Sequence, residues 1–485
     1  MQHTQSVFAT VATFLLACSN LGVAPAGEKV PLPKIRVAAD GRGFVGEGGK
    51  PFVPWGVTYY RPGTGWAPQV WKKFDAQATQ QDFQRMKALG VNCVRVFLSY
   101  GSFFMQPDAL AEEGLAKFDQ FLSIAERSGI YVHPTGPDHW EGTPAWAAGD
   151  RMADEHALRA LEVFWAKFAQ RYRGRPAIFA YDLRNEPEVA WDTPAMRARW
   201  NAWLRAEYGS AEKAAAAWGI APEAIAWGRQ IPPAAENSAG NRQLLDYQYF
   251  RESVALEWTR RQVQAIKAAD PAALVTVGLI QWSVPALLPG VRHYSGFRPK
   301  TQAAFLDFLE IHFYPLESGC YEYADRQAEQ RNLAYLESVV REVAGAAGGK
   351  PVVLAEFGWY GGGRLTIDQG RHPAATEEQQ ARWCLQAVAA TRGLAGGWLN
   401  WGLFDEPEAG DVSQLTGLLT ASGQLKAWGR EFQRLGRTCA AGSWEQGAGS
   451  GKGRPILDWD RCLTTTEAGR QFREAYLKAY LAERE

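Results

Sequence analysis

The sequence has no surplus of either charge: 52 Lys+Arg stand against 52 Asp+Glu, a formal net charge of zero. Nucleic acid and anionic lipid surfaces, which are recognised through dense negative charge, therefore have no electrostatic footing here. Cysteine is sparse, and the six residues (Cys18, Cys93, Cys320, Cys384, Cys439, Cys462) include no C-x-x-C pair, which argues against a zinc framework. The acidic loop Asp405, Glu406, Glu408, Asp411 lacks the residue order of a calcium-binding loop, so it reads as solvated. The N-terminal apolar run covers only residues 7–16, short of the ~20 needed to cross a bilayer as a helix. No Gly-rich phosphate turn follows the first predicted strand, which ends near Tyr59, and this speaks against a dinucleotide fold. The expectation is a protein that needs no metal and no cofactor.

What is present is an ordinary globular composition, 46% hydrophobic and 21% charged, with a heavy load of 20 tryptophans. Such rings fill cores, and they also stack on the C–H faces of sugars. At the N-terminus the apolar run leads to Ala24-Pro25-Ala26, an A-x-A-like cleavage site, so residues 1–26 read as a signal peptide of an exported protein. Leu15-Leu16-Ala17-Cys18 also has the look of a lipoprotein signal, which leaves lipidation of Cys18 open as the one route to a membrane.

From residue 53 onward, short apolar runs alternate with amphipathic stretches. Strands are expected at 53–59, 93–98, 131–133, 178–183, 274–278, 309–313, 352–355 and 397–401. Helices are expected at 79–89, 115–128, 155–172, 245–269, 301–308, 325–344, 377–391 and 425–435. Eight such repeats describe an α/β fold, a (β/α)8 barrel spanning residues 36–437. A β-hairpin within residues 36–54 leads into it and plugs its lower end. The span exceeds the ~250 residues usual for this fold, and the excess falls in loops after strands, above all a Trp-rich insert at 189–242. This insert is expected to wall the cleft with Trp191 or another of its tryptophans. Residues 438–485 comprise a Gly-rich loop and a terminal helix packed back on the barrel. Cys439 and Cys462 flank that loop and are expected to pair in an exported protein.

Two runs end in a carboxylate. IFAYDLRNEPE (178–188) reads as a buried strand that Pro187 must stop, leaving Glu186 at its C-terminal mouth. PVVLAEFGWY (351–360) repeats the arrangement with Glu356. The mouth of a barrel is where its chemistry sits, and a pair of carboxylates is what glycoside hydrolysis requires.

Taken in order along the strands, these motifs resemble the retaining (β/α)8 glycosidases of the clan that includes family 5 cellulases and β-mannanases. The insert resembles those of family 42 β-galactosidases. The resemblance covers most of the chain from Phe52 to Phe404 and implies specific roles. Asn185-Glu186-Pro187 matches the acid/base motif, with Asn185 donating to the sugar 2-hydroxyl. Glu356 matches the nucleophile, Arg95 the arginine beside it, and His312 and Tyr314 the clan's His-x-Tyr. Trp401 matches the platform under the sugar. The clan places a sugar-binding histidine near the end of the third strand; this chain offers both His133 and His139, and His139 is the choice. The implied activity is retaining hydrolysis of β-mannosides, β-mannan or β-glucan, with an oligo- or polysaccharide as partner. A β-galactosidase-like exo-enzyme and a catalytically inactive carbohydrate-binding barrel are the alternatives.

Overall fold

Eight parallel strands close on one another in sequence order. They are β1 Trp55–Thr58, β2 Cys93–Ser99, β3 Tyr131–Asp138, β4 Tyr181–Asn185, β5 Val275–Leu279, β6 Leu309–Phe313, β7 Val352–Phe357 and β8 Trp398–Asn400. The computed structural model describes residues 32–64, 67–315, 323, 325–367, 372–440 and 453–483. The signal-like segment, Cys18 and Cys320 lie outside the described residues. Nearly every strand residue is buried, as expected where helices cover one face and the barrel interior the other.

The helices form where apolar residues recur at helical spacing behind a capping residue. α1 (Ala76–Ala88) and α3 (Glu155–Tyr172) start from Asp75 and Asp154, each of which accepts two backbone N–H groups. α3 buries Leu158, Leu161, Trp165, Phe168 and Tyr172 on one face. α2 (Glu112–Ser128) ends at Gly129, which adopts the left-handed conformation that closes a helix without steric cost. The insert supplies α4 (Pro194–Tyr208) and α5 (Ala211–Trp218), and the long α6 (Arg242–Ala269) follows. The outer layer continues with α7 (Arg326–Ala346), α8 (Glu377–Thr391) and α9 (Ala427–Ala440), then the tail helices α10 (Trp459–Thr464) and α11 (Thr466–Ala482). The expected helix at 301–308 shrinks to the single turn Pro299–Gln302. The reason lies in Asp307, which turns to accept from Val275 N and Lys267 instead of continuing a helix.

The lower end is stoppered by a small antiparallel sheet of Arg36–Val37, Phe44–Val45 and Pro51–Phe52. Phe44 meets Phe179 and Phe308 edge-on, each at 5.1 Å between ring centres. Phe52 meets Tyr131 at 4.9 Å. Burial of a phenylalanine contributes about 1.5–3 kcal/mol, so this plug also stabilises the barrel.

The seam between β8 and β1 is covered by α9. The Phe432 ring lies over Trp55 at 4.4 Å, and Trp55 Nε1 donates to the Phe432 carbonyl at 3.2 Å. Trp428 Nε1 donates to Asn400 Oδ1 on β8 at 2.8 Å. The tail helices pack elsewhere. Arg454 ties Glu337 of α7 to Glu483 near the chain end, and Arg473 donates to the Ala286 carbonyl.

That layout overturns the expected disulfide. Cys439 and Cys462 are free, buried thiols. Cys439 closes the helix after β8, whereas Cys462 lies in α10 against α6, and burial pushes both thiols up to about 12.

Candidate active site

The upper ends of the two glutamate strands are not regular. Between Asp182 and Asn185, β4 slips register against β5, and between Leu354 and Glu356, β7 slips against β6. An extra residue in one strand re-aims the side chains beyond it. Glu186, just past the first slip, has φ 43°, the left-handed region that non-glycine residues rarely adopt. Such a conformation costs of order 1–3 kcal/mol and persists only where its surroundings over-determine it.

Those surroundings are visible. Glu186 N donates to the Gly278 carbonyl at 2.9 Å, and Val189 N donates to the Ser295 carbonyl at 2.8 Å. Arg251, buried on α6, donates to the Val189 carbonyl at 2.5 Å and to Gln248 Oε1 at 2.8 Å. Gly278 also clears space: a Cβ there would sit 3.0 Å from the His312 ring.

At the centre lies Arg95, wholly buried on β2. Its guanidinium donates to Glu356 Oε1 at 2.5 Å, Asp182 Oδ2 at 2.8 Å and Asn185 Oδ1 at 2.9 Å. Asp182 accepts further from Thr135 Oγ1, Gly278 N and Arg184 N. Burial and the neighbouring Glu310 push its carboxyl upward, and Arg95 and His133 oppose the shift. Because Asn185 spends its oxygen on Arg95, what it has left to offer is its amide N–H donors.

Glu356 receives the Tyr314 hydroxyl at 2.9 Å as well as Arg95. Burial raises its carboxyl, with His312, Arg95 and Tyr314 pulling the other way. His312 Nδ1 faces both glutamates, 3.1 Å from Glu186 Oε1 and 3.6 Å from Glu356 Oε1. Burial would lower this imidazole, but the two carboxylates win and raise it. One oxygen of Glu186, one of Glu356 and a ring nitrogen of His312 all lie within 4.8 Å of one another. Glu186 keeps 27% of its side chain exposed against 4% for Glu356. One carboxylate is thus open to an incoming group and the other is held by Arg95, His312 and the Tyr314 hydroxyl.

Trp401 continues this wall. Its ring packs with Tyr60 at 5.6 Å and Phe97 at 6.0 Å, and Nε1 donates to Ser413 Oγ at 2.7 Å. Ser413 rides on a loop pinned by the buried pair Lys426–Asp405 at 2.8 Å. Burial lifts the Asp405 carboxyl to about 6.

The two candidate histidines, His133 on β3 and His139 just past its end, part company. His133 lies inside the barrel, Nδ1 2.8 Å from the Ala180 carbonyl and Nε2 2.9 Å from Glu310. With both nitrogens facing acceptors and its pKa raised, it serves as a buried imidazolium. His139 is exposed at the rim, with Nδ1 2.7 Å from Asp138.

Sequence reasoning missed Asp182, Glu310 and Thr135 in the layer beneath the glutamates, and weighed His133 only as a sugar ligand, not as part of this layer. Their only signal was that polar residues interrupt otherwise apolar strands. His133, Asp182 and Glu310 are close enough to share a metal ion, but Arg95 already supplies a cation to Asp182. Trp191 is a correction: its ring is buried under Arg251 at 5.2 Å and donates to the Pro233 carbonyl, instead of walling the cleft. The other insert tryptophans pack largely on one another, Trp200 stacking on Trp203 at 5.2 Å and on Trp218 at 6.3 Å.

Enzymes that cleave O-glycosidic bonds are built on this barrel with this pair of carboxylates, and the chain is a glycoside hydrolase. The model of the cellulase family, glycosyl hydrolase family 5, matches residues 46–405, so the chain belongs to that family. Among solved structures it is similar to the exo-β-1,4-mannosidase Op5Man5 from Opitutaceae bacterium strain TAV5, at 18% identity and TM-score 0.59, covering 84% of this chain and 63% of that one. It is similar to GH5_18 from Streptomyces cattleya, solved with GlcNAc, at 17% identity and TM-score 0.59, covering 89% of this chain and 93% of that one. The β-galactosidase from Rahnella sp. R3 gives 18% identity and TM-score 0.68, covering 89% of this chain and 63% of that one. The chain thus spans under two thirds of the mannosidase and of this galactosidase. No curated protein matches by sequence.

Proposed function

We propose that the enzyme is a retaining β-glycosidase that hydrolyses β-mannosides or β-glucan by double displacement. The observation that carries this reading is the approach of Glu186 and Glu356 oxygens to within 4.8 Å. Retaining enzymes hold their carboxyl groups about 5–5.5 Å apart, whereas inverting ones need roughly 6.5–9.5 Å to admit a water. Glu186, the open carboxylate, protonates the leaving oxygen and then activates water. Glu356 attacks the anomeric carbon, Asn185 donates to the 2-hydroxyl, and Trp401 carries the sugar. His139 is the rim contact to that sugar.

The mannoside reading draws on the exo-β-1,4-mannosidase from Opitutaceae, and on a GH5_18 variant from Streptomyces cattleya solved with Manβ1-4GlcNAc. A galactoside-cleaving exo-enzyme is the second reading, supported by the Rahnella enzyme and by the helical insert after β4. We also propose export of the protein, to be tested by the intact mass of the chain recovered outside the cytoplasm.

A panel of aryl β-mannoside, β-glucoside, β-galactoside and β-xyloside, alongside mannan and β-glucan, separates the substrates. The anomer first formed, followed by NMR, tests the mechanism. Glu356→Ala abolishes turnover, and azide then yields product of inverted configuration. Glu186→Ala keeps activity on good leaving groups, and azide yields retained product. Inverted product from the unaltered enzyme overturns the reading.

A further inference from the structure

Beside β4, a cavity of about 520 Å³ opens between the segment 148–154 and the start of the insert. Its volume falls in the range of small-ligand sites, about 300–1,000 Å³. Two guanidinium groups line it, Arg151 from the segment after β3 and Arg184 from β4, two residues before Glu186. Arg184 is only 8% exposed. Among the described residues, neither side chain is joined to a carboxylate by an ion pair.

The surroundings show the same unspent capacity. Arg151 Nη1 and the Tyr100 hydroxyl are both buried, and the two side chains act on each other, so among the described residues the guanidinium has a hydroxyl and no carboxylate as its neighbouring partner. Burial and the neighbouring Arg184 hold Arg151 below its ordinary range. Asp138, the acidic group that acts on both arginines, has Oδ1 taken by the His139 ring at 2.7 Å and its backbone N–H at 2.6 Å.

Two of the acids that share the lining are occupied. Asp150 accepts from Met152 N, Ala153 N and Thr193 Oγ1. Asp154 caps α3. Glu188 stands exposed at the edge. Arg184 is almost wholly withdrawn from water and Arg151 partly so; two like charges placed this way repel each other, and each gains from an anion beside it. Guanidinium groups also offer the paired planar donors that fit an oxyanion.

We propose that this cavity binds an oxyanion carried by a sugar next to the cleavage point, a carboxylate, sulfate or phosphate, held by Arg151 and Arg184. The anion site stands on the cavity alone; its use for an acidic saccharide rests on the glycosidase reading above. The enzyme's preferred substrate then carries a charged substituent rather than being a plain neutral chain.

Calorimetric titration of the whole protein with glucuronate, inorganic sulfate and inorganic phosphate, at constant ionic strength set by chloride, tests the site without any turnover. Saturable binding is expected for at least one anion, weakened about tenfold or more in Arg151→Met and in Arg184→Met. Binding of glucuronate alone marks a uronate, and binding of sulfate or phosphate marks an ester; either supports the site. Arg151→Met stands by itself if the Arg184 variant does not fold. It lowers kcat/KM on a glycoside bearing the bound group and leaves the neutral aryl glycoside unchanged. No saturable binding, or binding equal in enzyme and variants, overturns the proposal. Anion binding in a protein that cleaves no glycoside would sink the functional reading and leave the site intact.

Discussion

Replacing Tyr314 by phenylalanine removes one oxygen and leaves the ring. That oxygen donates to Glu356 at 2.9 Å, from a site where the carboxylate keeps only 4% of its side chain exposed. A hydrogen bond to a charged group contributes about 1.5–3 kcal/mol, because in a buried site no water replaces the lost donor. On a scale where 1.36 kcal/mol is tenfold, kcat/KM should fall roughly 10- to 150-fold. The pH profile should change as well. Burial already raises the Glu356 carboxyl and the tyrosine opposes that shift, so its loss raises the group further. The ionised nucleophile is then lost at higher pH, and the acid limb of kcat/KM moves upward. The melting temperature should fall by no more than a few degrees, since the ring still packs against Tyr60, Phe97 and Trp401. The assay is kcat/KM on an activated aryl glycoside across the pH range, beside a thermal melt. A rate within twofold of the unaltered enzyme and an unmoved acid limb would refute the role given to this hydroxyl.

Asp405, raised to about 6 by burial, holds its proton more tightly folded than unfolded. Its contribution to stability is therefore fullest below ~4 and is lost as pH rises through 6, by about 3 kcal/mol at most. Urea unfolding of the enzyme and of Asp405→Asn between pH 4 and 7 should show the difference between them shrinking over that window; a constant difference would count against it. Arg251→Met should release the strained turn at Glu186 while leaving an apolar side chain in the space. Hydrolysis of poor leaving groups, which needs the acid, should drop at least tenfold, and that of dinitrophenyl glycosides much less; equal losses on both would mean a merely structural role.

The barrel was legible because strands buried on both faces must be written as apolar runs, and all eight runs became strands. Glu186 and Glu356 were legible because each ends such a run. Their aim was not, because it depends on register slips in β4 and β7 that leave no mark in composition. Arg95 was placed beside Glu356 by resemblance, but its bonds to Asp182 and Asn185 emerge only when β2 and β4 are set side by side with β3 between them. The Trp191 expectation failed because density of tryptophan says nothing of direction: a ring over Arg251 and a ring over a sugar are spelled alike. The cysteine expectation failed because proximity along a loop was taken for proximity in space.

The match to the family ends at residue 405, but the barrel wall does not. A gene trimmed to that boundary would encode all eight strands and none of α9, stripping the cover from Trp55 and leaving the Asn400 amide without Trp428. It would expose the one join in the ring where the first strand must find the last, the strand pairing most distant along the chain among the described residues. Such a fragment should collect in inclusion bodies, while one carried through residue 440 should keep the join closed. Anyone choosing where to cut should therefore follow the aromatic cover and not the motif.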